Sequence, residues 1–471
     1  MIMRTTLALL MSSLLAACAA GGGDADQVLL GRLFDAERGE VIEVGVVVIH
    51  EGRVSCSGAV EACRWPESAP LQDYGDALML PGLIDLHVHV RPHYFEASLA
   101  AGITTLRDAN NSLAVVRELR ALPRGPRLFA AGPMLDGPKS RLRQMVDTAA
   151  PLGSGELDTL VPIIIDSPES ARATVAALAE AGVDWIKLYD RLDPEAFAAA
   201  VGAAHEQGLQ VMADVGMAIT GGLQGAEMDL LQVAEAGTDT IEHLSGLALA
   251  YVRRGGDVMA LALDETLLDE LADQVAASGM RIVPTIGNSL QFAEPGALAW
   301  QDLPGAKVLG PYMADHWRRL EGMAGQARPL AAADRRLALA MLSRLHAAGV
   351  MIGAGSDLPA GPFMLPGAAL HQELVALVEA GLRPVEALQA ATWNAGRILG
   401  ADDLGHLRAG ARADILIVEG DPTVDISQSR RVRDVWFDGE RVERDAIWQR
   451  VDAAYAAALA AAGRGSGVTP G

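Results

Sequence analysis

Basic residues are scarce in this chain of 471 residues. Lysine and arginine together number 38, against 60 aspartates and glutamates, so the formal net charge is -22 at pH 7. Nucleic acids and anionic lipid headgroups attract clustered positive charge, and the chain has no long basic run. The balance therefore argues against a nucleic-acid partner, and we expect a small-molecule substrate.

Cysteine is also rare, with only three residues in the chain. Cys56 and Cys63 lie seven positions apart in a predicted loop, and no CxxC pair supports a structural zinc finger. An exported chain could oxidise these two thiols to a disulfide. Two free thiols are the alternative.

Long apolar runs are absent except at the N-terminus, where an export signal is predicted. Arg4 precedes the apolar residues 7–15, and the sequence Leu15-Ala16-Ala17-Cys18 that follows resembles the lipobox of bacterial lipoproteins. Residues 1–18 would then be a lipoprotein signal peptide with Cys18 as the lipidated residue, and residues 19–26 a Gly-rich tether. The exported protein would face the periplasm or the cell exterior and contact the membrane only through its lipid anchor. A plain secretory signal or a buried first helix are the alternatives.

Half of the residues are hydrophobic, which allows a large core. From Gly82 to Asp357, short β-rich runs alternate with Ala/Leu-rich helical stretches, which is typical of repeated βα units. Six glycines lie where a left-handed residue would end the preceding helix: Gly102, Gly182, Gly208, Gly237, Gly279 and Gly349. The eight runs are Leu83 to Val90, Ile103 to Asp108, Arg127 to Ala131, Asp184 to Tyr189, Leu209 to Asp214, Thr238 to Leu244, Arg281 to Ile286 and Val350 to Ser356.

Eight such units predict an α/β fold, a (β/α)₈ TIM barrel over residues 81–400. Hairpin signals flank it, around Glu51-Gly52 and around Asp438-Gly439. Similar hairpins at both ends predict a small composite β-sandwich domain built from residues 27–80 and 401–445. Residues 446–471 are predicted to form a C-terminal helix and a disordered tail.

Ionisable residues lie at the ends of four of these runs. His87 and His89 end the first run, Lys187 and His243 end the fourth and the sixth, and Asp357 follows the eighth. Strand alternation points both histidines of the first run to the same side, and the catalytic groups of TIM barrels lie at the carboxyl edge of the strands. A buried Lys or Asp is costly without a partner, so we expect a metal site there.

The segments LPGLIDLHVH, TIEH, GSD and DLGHLRAGARADILIVEGDP resemble the amidohydrolase superfamily, especially its imidazolonepropionase-like and prolidase-like branch. The resemblance extends from about residue 40 to 445. It implies a metal-dependent hydrolase that cleaves the C–N bond of an amide, a dipeptide or a cyclic amide with a metal-activated hydroxide.

The resemblance also implies roles for individual residues. His87 and His89 would bind one divalent metal, for which zinc is the first choice. Lys187, carrying a carbamate derived from CO₂, would bridge this metal to a second one bound by His243. Asp357 would bind the first metal and act as the general base, passing its proton to the leaving nitrogen.

One position departs from the family pattern, because the fifth run ends in Asp214 where relatives carry a histidine. Asp214 could replace that histidine as an oxygen ligand, since zinc accepts carboxylates. The alternatives are a single-metal site or a site whose chemistry has decayed. A decayed site would leave a catalytically degenerate barrel that acts as a surface-anchored binding lipoprotein, and a lyase or isomerase is a third hypothesis.

Two further residues are candidates for substrate binding. Arg91 continues the first run, where its guanidinium could hold a substrate carboxylate or form a salt bridge at the rim. Tyr189 lies near the predicted mouth, where it could contact substrate or simply pack. The sequence does not identify the substrate, and a homo-oligomer is possible.

Overall fold

The structure is a computed structural model that describes residues 24–142, 161–216 and 227–465. Cys18, the predicted signal peptide, most of the tether and the last residues of the tail lie outside these ranges. Within them, no helix combines the length and the apolar character needed to cross a bilayer.

The described residues form sixteen strands and thirteen α-helices. The strands are Gln27–Asp35 (β1), Glu40–His50 (β2), Arg53–Ala59 (β3), Leu71–Pro81 (β4), Leu83–Val88 (β5), Ile103–Asp108 (β6), Arg127–Ala130 (β7), Leu135–Asp136 (β8), Ile163–Ile164 (β9), Trp185–Leu188 (β10), Gln210–Ala213 (β11), Thr240–Glu242 (β12), Arg281–Val283 (β13), Ile415–Val418 (β14), Val432–Phe437 (β15) and Glu440–Arg441 (β16). The helices are Ala97–Ala100 (α1), Leu113–Ala121 (α2), Pro168–Glu180 (α3), Pro194–Glu206 (α4), Leu230–Glu235 (α5), Leu247–Arg253 (α6), Glu265–Ser278 (α7), Ile286–Ala293 (α8), Ala306–Ala347 (α9), Leu370–Glu379 (α10), Pro384–Ala390 (α11), Trp393–Leu399 (α12) and Arg444–Gly465 (α13).

Strands from the two ends of the chain share one sheet, which we call the terminal sheet. Its order is β16-β15-β14-β4-β1-β2-β3. Both predicted hairpins are present, and their turns use left-handed residues at Glu51-Gly52 and Asp438-Gly439. The connection between the hairpins was not predicted: β4 pairs in parallel with β1 and antiparallel with β14, which joins both hairpins in one hydrogen-bonded sheet. The composite sandwich stays a prediction.

The terminal sheet is apolar on both faces. Alternate residues of β1 and β2 belong to two different hydrophobic clusters, so that Leu29 and Val47 pack on one side and Val28 and Val46 on the other. A disulfide joins Cys56 of β3 to Cys63, with their Cα atoms 5.8 Å apart. Of the two alternatives for these cysteines, a disulfide or two free thiols, the structure contains the disulfide.

Seven of the eight predicted βα runs contain parallel strands. They belong to a sheet of order β5-β6-β7 and to a sheet of order β13-β12-β11-β10-β8-β9, whose short β8 and β9 were not predicted. The eighth run forms one isolated parallel bridge, from Ile352 to Ile282, and Leu358, just beyond the run, forms another to Val88. Parallel pairing places the carboxyl ends of these strands on a common side, and the chain has mixed α/β content.

The six glycines predicted to end helices all have left-handed backbones, with φ between 72° and 89°. At Gly102 an added Cβ would lie 2.6 Å from Leu416 of β14, so this glycine also permits close packing against the terminal sheet. The glycine pattern thus marks the junctions between helices and strands.

Candidate metal centre

Six predicted ligands lie at the carboxyl ends of the parallel strands, and we call this group the metal edge: His87, His89, Lys187, Asp214, His243 and Asp357. Three of them, His87, His243 and Asp357, each offer one ligand atom within 4.8 Å of the others. They come from β5, from the end of β12 and from the segment that bridges β5 and β13. Residues far apart in sequence therefore form one group that could hold a metal ion.

His87 is buried, and its two ring nitrogens face two different carboxylates. Its Nδ1 lies 2.6 Å from Oε2 of Glu242, while its Nε2 lies 3.6 Å from Oδ1 of Asp357. A carboxylate only accepts hydrogen bonds, so Nδ1 carries the proton and Nε2 keeps its lone pair. Burial lowers the pKa of His87 well below its usual value, which favours the neutral form that binds metals.

Asp357 is shared between imidazoles and an amide. Its Oδ1 lies 3.2 Å from Nε2 of His89, and its Oδ2 accepts a hydrogen bond from the side-chain amide of Asn288. His89 is positioned in turn by Tyr94, whose hydroxyl donates to the His89 carbonyl oxygen. The two oxygens of Asp357 thus have different surroundings, and it is Oδ1 that faces His87 and His89.

His243 lies between two carboxylates. Its Nε2 is 3.4 Å from Oδ2 of Asp214, its Nδ1 is 3.9 Å from Oδ2 of Asp357, and Nδ1 also hydrogen bonds with the Thr285 hydroxyl. Burial lowers the pKa of His243, but the two carboxylates outweigh this effect and raise the pKa above its usual value. The same two carboxylates that favour a proton on this ring would also favour a cation bound in its place.

Lys187 and Asp214 form the least satisfied part of the centre. Both are buried, and Nζ of Lys187 lies 3.7 Å from Oδ2 of Asp214, which allows an ion pair but is too long for a hydrogen bond. Neither Lys187 Nζ nor Asp214 Oδ1 has a hydrogen-bond partner. A buried polar atom left unpaired costs about 1–3 kcal/mol, so these atoms fit a site that is completed by a ligand.

The donor set fits a divalent transition metal. Imidazole nitrogens and carboxylate oxygens are ligands that zinc accepts. Burial raises the pKa of Asp214, but His243 and Lys187 outweigh this effect and hold it below its usual value, so that Asp214 is a carboxylate. We find no conflict between the residues present and a bound metal ion.

The backbone of the metal edge is strained. His243, Leu244, Thr285 and Asp357 have φ between 46° and 61°, in the left-handed region that residues other than glycine rarely adopt. Such residues cluster at functional sites because the surrounding packing must hold them in place. The strain at His243 and Asp357 supports a functional role for this edge.

Several supporting residues were missed by the sequence prediction. Asp85 accepts hydrogen bonds from the backbone N–H and the hydroxyl of Ser356, and burial raises its pKa to about 6. Glu242, Arg107, Thr285 and Asn288 were missed as well. A signal was present for Asp85, Arg107 and Glu242, since each is a charged residue inside one of the predicted β-rich runs and a buried charge needs a partner.

Neither predicted substrate-binding residue belongs to the three-residue group. Arg91 donates from Nη1 to the Val90 carbonyl and to Oδ1 of Asn111, at 2.8 and 2.9 Å. Tyr189 follows β10 and is buried, and burial raises its pKa well above its usual value. The Arg91 hydrogen bonds go to neutral groups and are not the predicted rim salt bridge, while the buried position of Tyr189 agrees with packing. A role in substrate binding stays a prediction for each.

Comparison with known proteins identifies the family of this chain. The sequence profile of the amidohydrolase family matches residues 78–442. The chain belongs to the amidohydrolase family. It is therefore a hydrolase acting on carbon–nitrogen bonds, and members of this family are typically metal-dependent.

Two relatives illustrate how far the sequence similarity of this amidohydrolase extends. An uncharacterized protein from Mycobacterium tuberculosis is 30% identical over 368 residues, which cover 73% of this chain and 80% of that protein. An imidazolonepropionase from Deinococcus deserti is 38% identical over 102 residues, which cover 21% of this chain and 25% of that enzyme.

Solved structures show the shared fold. A Xaa-Pro dipeptidase with bound methionine matches with a TM-score of 0.65 at 23% identity, covering 88% of this chain and 99% of that one. The ochratoxinase of A. niger matches with a TM-score of 0.63 at 20% identity, covering 89% of this chain and 96% of that one. This amidohydrolase thus has the fold of its family.

Proposed function

We propose that this amidohydrolase cleaves an amide bond in a small substrate, such as a dipeptide, an N-acyl amino acid or a cyclic amide, at a zinc centre on the metal edge. The observation that carries the proposal is the approach of ligand atoms from His87, His243 and Asp357 to within 4.8 Å. The structural likeness to a Xaa-Pro dipeptidase supports dipeptides as the first class to test.

His87, His89, His243 and Asp357 would hold the metal. A divalent metal bound there would polarise the scissile carbonyl and lower the pKa of a bound water. Asp357 would accept the proton of the attacking water at Oδ1 and return it to the leaving nitrogen.

We propose one zinc ion for this centre, with Lys187 and Asp214 as an ion pair beside it. A lysine that neutralises a buried carboxylate is charged, and only a neutral amine reacts with CO₂ to form a carbamate. The separation of 3.7 Å between Nζ and Oδ2 supports the ion pair. The unpartnered Nζ and Oδ1 leave two zinc ions, bridged by a carbamate on Lys187, as the alternative.

The proposed scaffold is a closed (β/α)₈ barrel. The eighth run supports this closure, because Ile352 forms a parallel bridge to Ile282 of β13 and the Ala354 carbonyl accepts a hydrogen bond from the Leu86 N–H of β5 at 2.9 Å. The Asp184 N–H also donates to the Ala130 carbonyl at 2.8 Å, which links β7 to the start of β10. The metal edge would then lie at the mouth of the barrel.

The proposed location is outside the cytoplasm, on a lipid anchor at Cys18. This part of the proposal depends on the lipobox-like sequence before Cys18. The disulfide between Cys56 and Cys63 supports an oxidising compartment.

The test measures metal content and turnover on the same preparation. The full chain is produced with zinc and bicarbonate, its metal per chain is measured by elemental analysis, and a panel of dipeptides, N-acyl amino acids and cyclic amides is screened in isotopically labelled water. We expect one zinc per chain and solvent oxygen in the product. Two zinc ions would support the alternative, in which a carbamate on Lys187 bridges them. A product without solvent oxygen would indicate a lyase or an isomerase. A protein with no bound metal and no turnover would favour the binding lipoprotein.

A further inference from the structure

A buried ion pair lies directly behind the metal edge. Arg107 of β6 and Glu242 of β12 are both fully buried, and Nη2 of Arg107 lies 2.8 and 3.0 Å from the two carboxylate oxygens of Glu242. Removing two charges from water carries a desolvation penalty that ion pairing often fails to recover, and apolar residues in such places are often equally stable. The pair is therefore poorly explained by stability alone.

Glu242 extends this pair to a metal-edge histidine. Its Oε2 lies 2.6 Å from Nδ1 of His87, and its Oε1 accepts a hydrogen bond from the Thr240 hydroxyl at 2.6 Å. The Glu242 carboxylate thus contacts donors on three residues, Arg107, His87 and Thr240. The ring of His87 cannot rotate without breaking its contact with Glu242.

Arg107 is itself fixed to several strands. Its Nε donates to the carbonyl of Leu86, next to His87 on β5, and its Nη1 donates to the Thr240 hydroxyl on β12. Its guanidinium lies 4.5 Å from the centre of the Trp185 ring on β10. Arg107 therefore connects β5, β6, β10 and β12 beneath the metal edge.

We propose that Glu242 and Arg107 are positioning residues, which hold His87 with its proton on Nδ1 and its Nε2 directed at the metal. The inference rests on the proposed function, because it gives His87 the role of a metal ligand. Hydrogen bonds of this kind orient ligand histidines and raise their basicity, and losing one typically weakens metal binding by about 10- to 100-fold. Glu242 acts on His87 directly, whereas Arg107 acts by holding the Glu242 carboxylate in place.

The test compares zinc affinity in matched variants of the full chain by competition with a chelator. Glu242→Gln keeps the size of the side chain but removes its charge, and we expect zinc to bind about 10- to 100-fold more weakly. Arg107→Lys keeps the charge but loses the paired contact with Glu242, so a smaller loss is expected. Asp184→Asn is the control, because Asp184 pairs with Arg120 at the opposite end of β10 and its loss should not change zinc affinity.

A second readout separates positioning from a purely structural role. In ¹H–¹⁵N spectra of protein labelled at histidine, the proton on Nδ1 of His87 should give a strongly shifted signal that Glu242→Gln moves and Asp184→Asn leaves in place. If Glu242→Gln only lowers thermal stability, with zinc affinity and this signal unchanged, the inference is wrong.

The outcomes also distinguish this inference from the proposed function. Zinc binding that depends on Glu242 in a protein that hydrolyses nothing would reject the proposed function and support the positioning role. Hydrolysis with normal zinc affinity in Glu242→Gln would reject the positioning role alone. A wild-type chain that does not bind zinc would reject both.

Discussion

The terminal sheet and the metal edge use the same residue type in opposite ways. In the terminal sheet the buried Asp434 accepts hydrogen bonds at both oxygens, from the Tyr74 hydroxyl and from Nε of Arg441. At the metal edge the buried Asp214 has one oxygen without a partner and faces Lys187 at 3.7 Å. Asp434 is satisfied within the sheet, whereas Asp214 at the edge leaves one oxygen to a ligand. A buried carboxylate with internal partners supports the fold, and one left open is available for function.

The largest effect on turnover is expected from a substitution of Asp357, and it tests the difference between the two regions. Asp357→Asn keeps the hydrogen-bonding shape but removes the general base, so turnover should fall by about 10²- to 10⁴-fold. The thermal unfolding temperature should stay near that of the wild type, because the substitution leaves the size of the side chain almost unchanged. Turnover is measured on the best substrate from the screen, and an Asn variant with the wild-type rate would exclude Asp357 as the base.

A change in pH should alter the stability that one residue near the metal edge contributes, and so test the comparison with the terminal sheet. Glu373 is buried and accepts hydrogen bonds from the N–H groups of Ile286 and Gly287 at the start of α8, which carries Asn288. Burial outweighs these donors and raises the pKa of Glu373 to about 8. Because the folded state holds this proton more tightly than the unfolded state does, its stabilising contribution is complete below about pH 4.3 and is lost as the pH rises through about 8.

The Glu373→Gln variant tests this pH dependence. The free energy of unfolding of the wild type should fall between about pH 5 and about pH 8, by an amount on the order of a few kcal/mol, and the glutamine variant should lack this slope. Denaturant unfolding at several pH values measures both. Equal slopes in the two proteins would show that Glu373 is ionised throughout.

The smallest expected effect lies in the terminal sheet. Replacing both cysteines, Cys56→Ser with Cys63→Ser, removes a short cross-link and should lower the free energy of unfolding by about 2–3 kcal/mol. Zinc affinity and turnover should not change, because neither cysteine belongs to the metal edge. If turnover fell as far as in Asp357→Asn, the two regions would be coupled and the separation drawn here would be wrong.

Much of the fold was predictable because regular patterns encode it. Apolar runs and glycines that end helices identified seven parallel strands, but the eighth run forms only a bridge at Ile352. The connection between the two hairpins was not predictable, because hairpin signals define neighbouring strands and do not reveal that β4 pairs with both β1 and β14.

The centre was predictable only in part, for a related reason. His87, His243 and Asp357 come together because strand ends share an edge, which sequence alone can indicate. The contacts of Glu242 with His87 and Arg107 cross between strands that are distant in sequence, and strand periodicity gives the side of a residue but not its partner. Zinc, the number of metal ions and lipidation at Cys18 stay predictions.

The left-handed backbone at the metal edge has a consequence for how this enzyme could evolve. At φ near 60°, as at His243 and Asp357, asparagine, aspartate and histidine are enriched several-fold over other residues with a side chain. The backbone conformation therefore limits which substitutions are tolerated at these positions, whatever their effect on catalysis. The tolerated residues are largely ones that can bind a metal. Asp214 does not have such a backbone, so random variation can explore it more freely. New activities in a laboratory library should therefore arise at position 214 before they arise at positions 243 or 357.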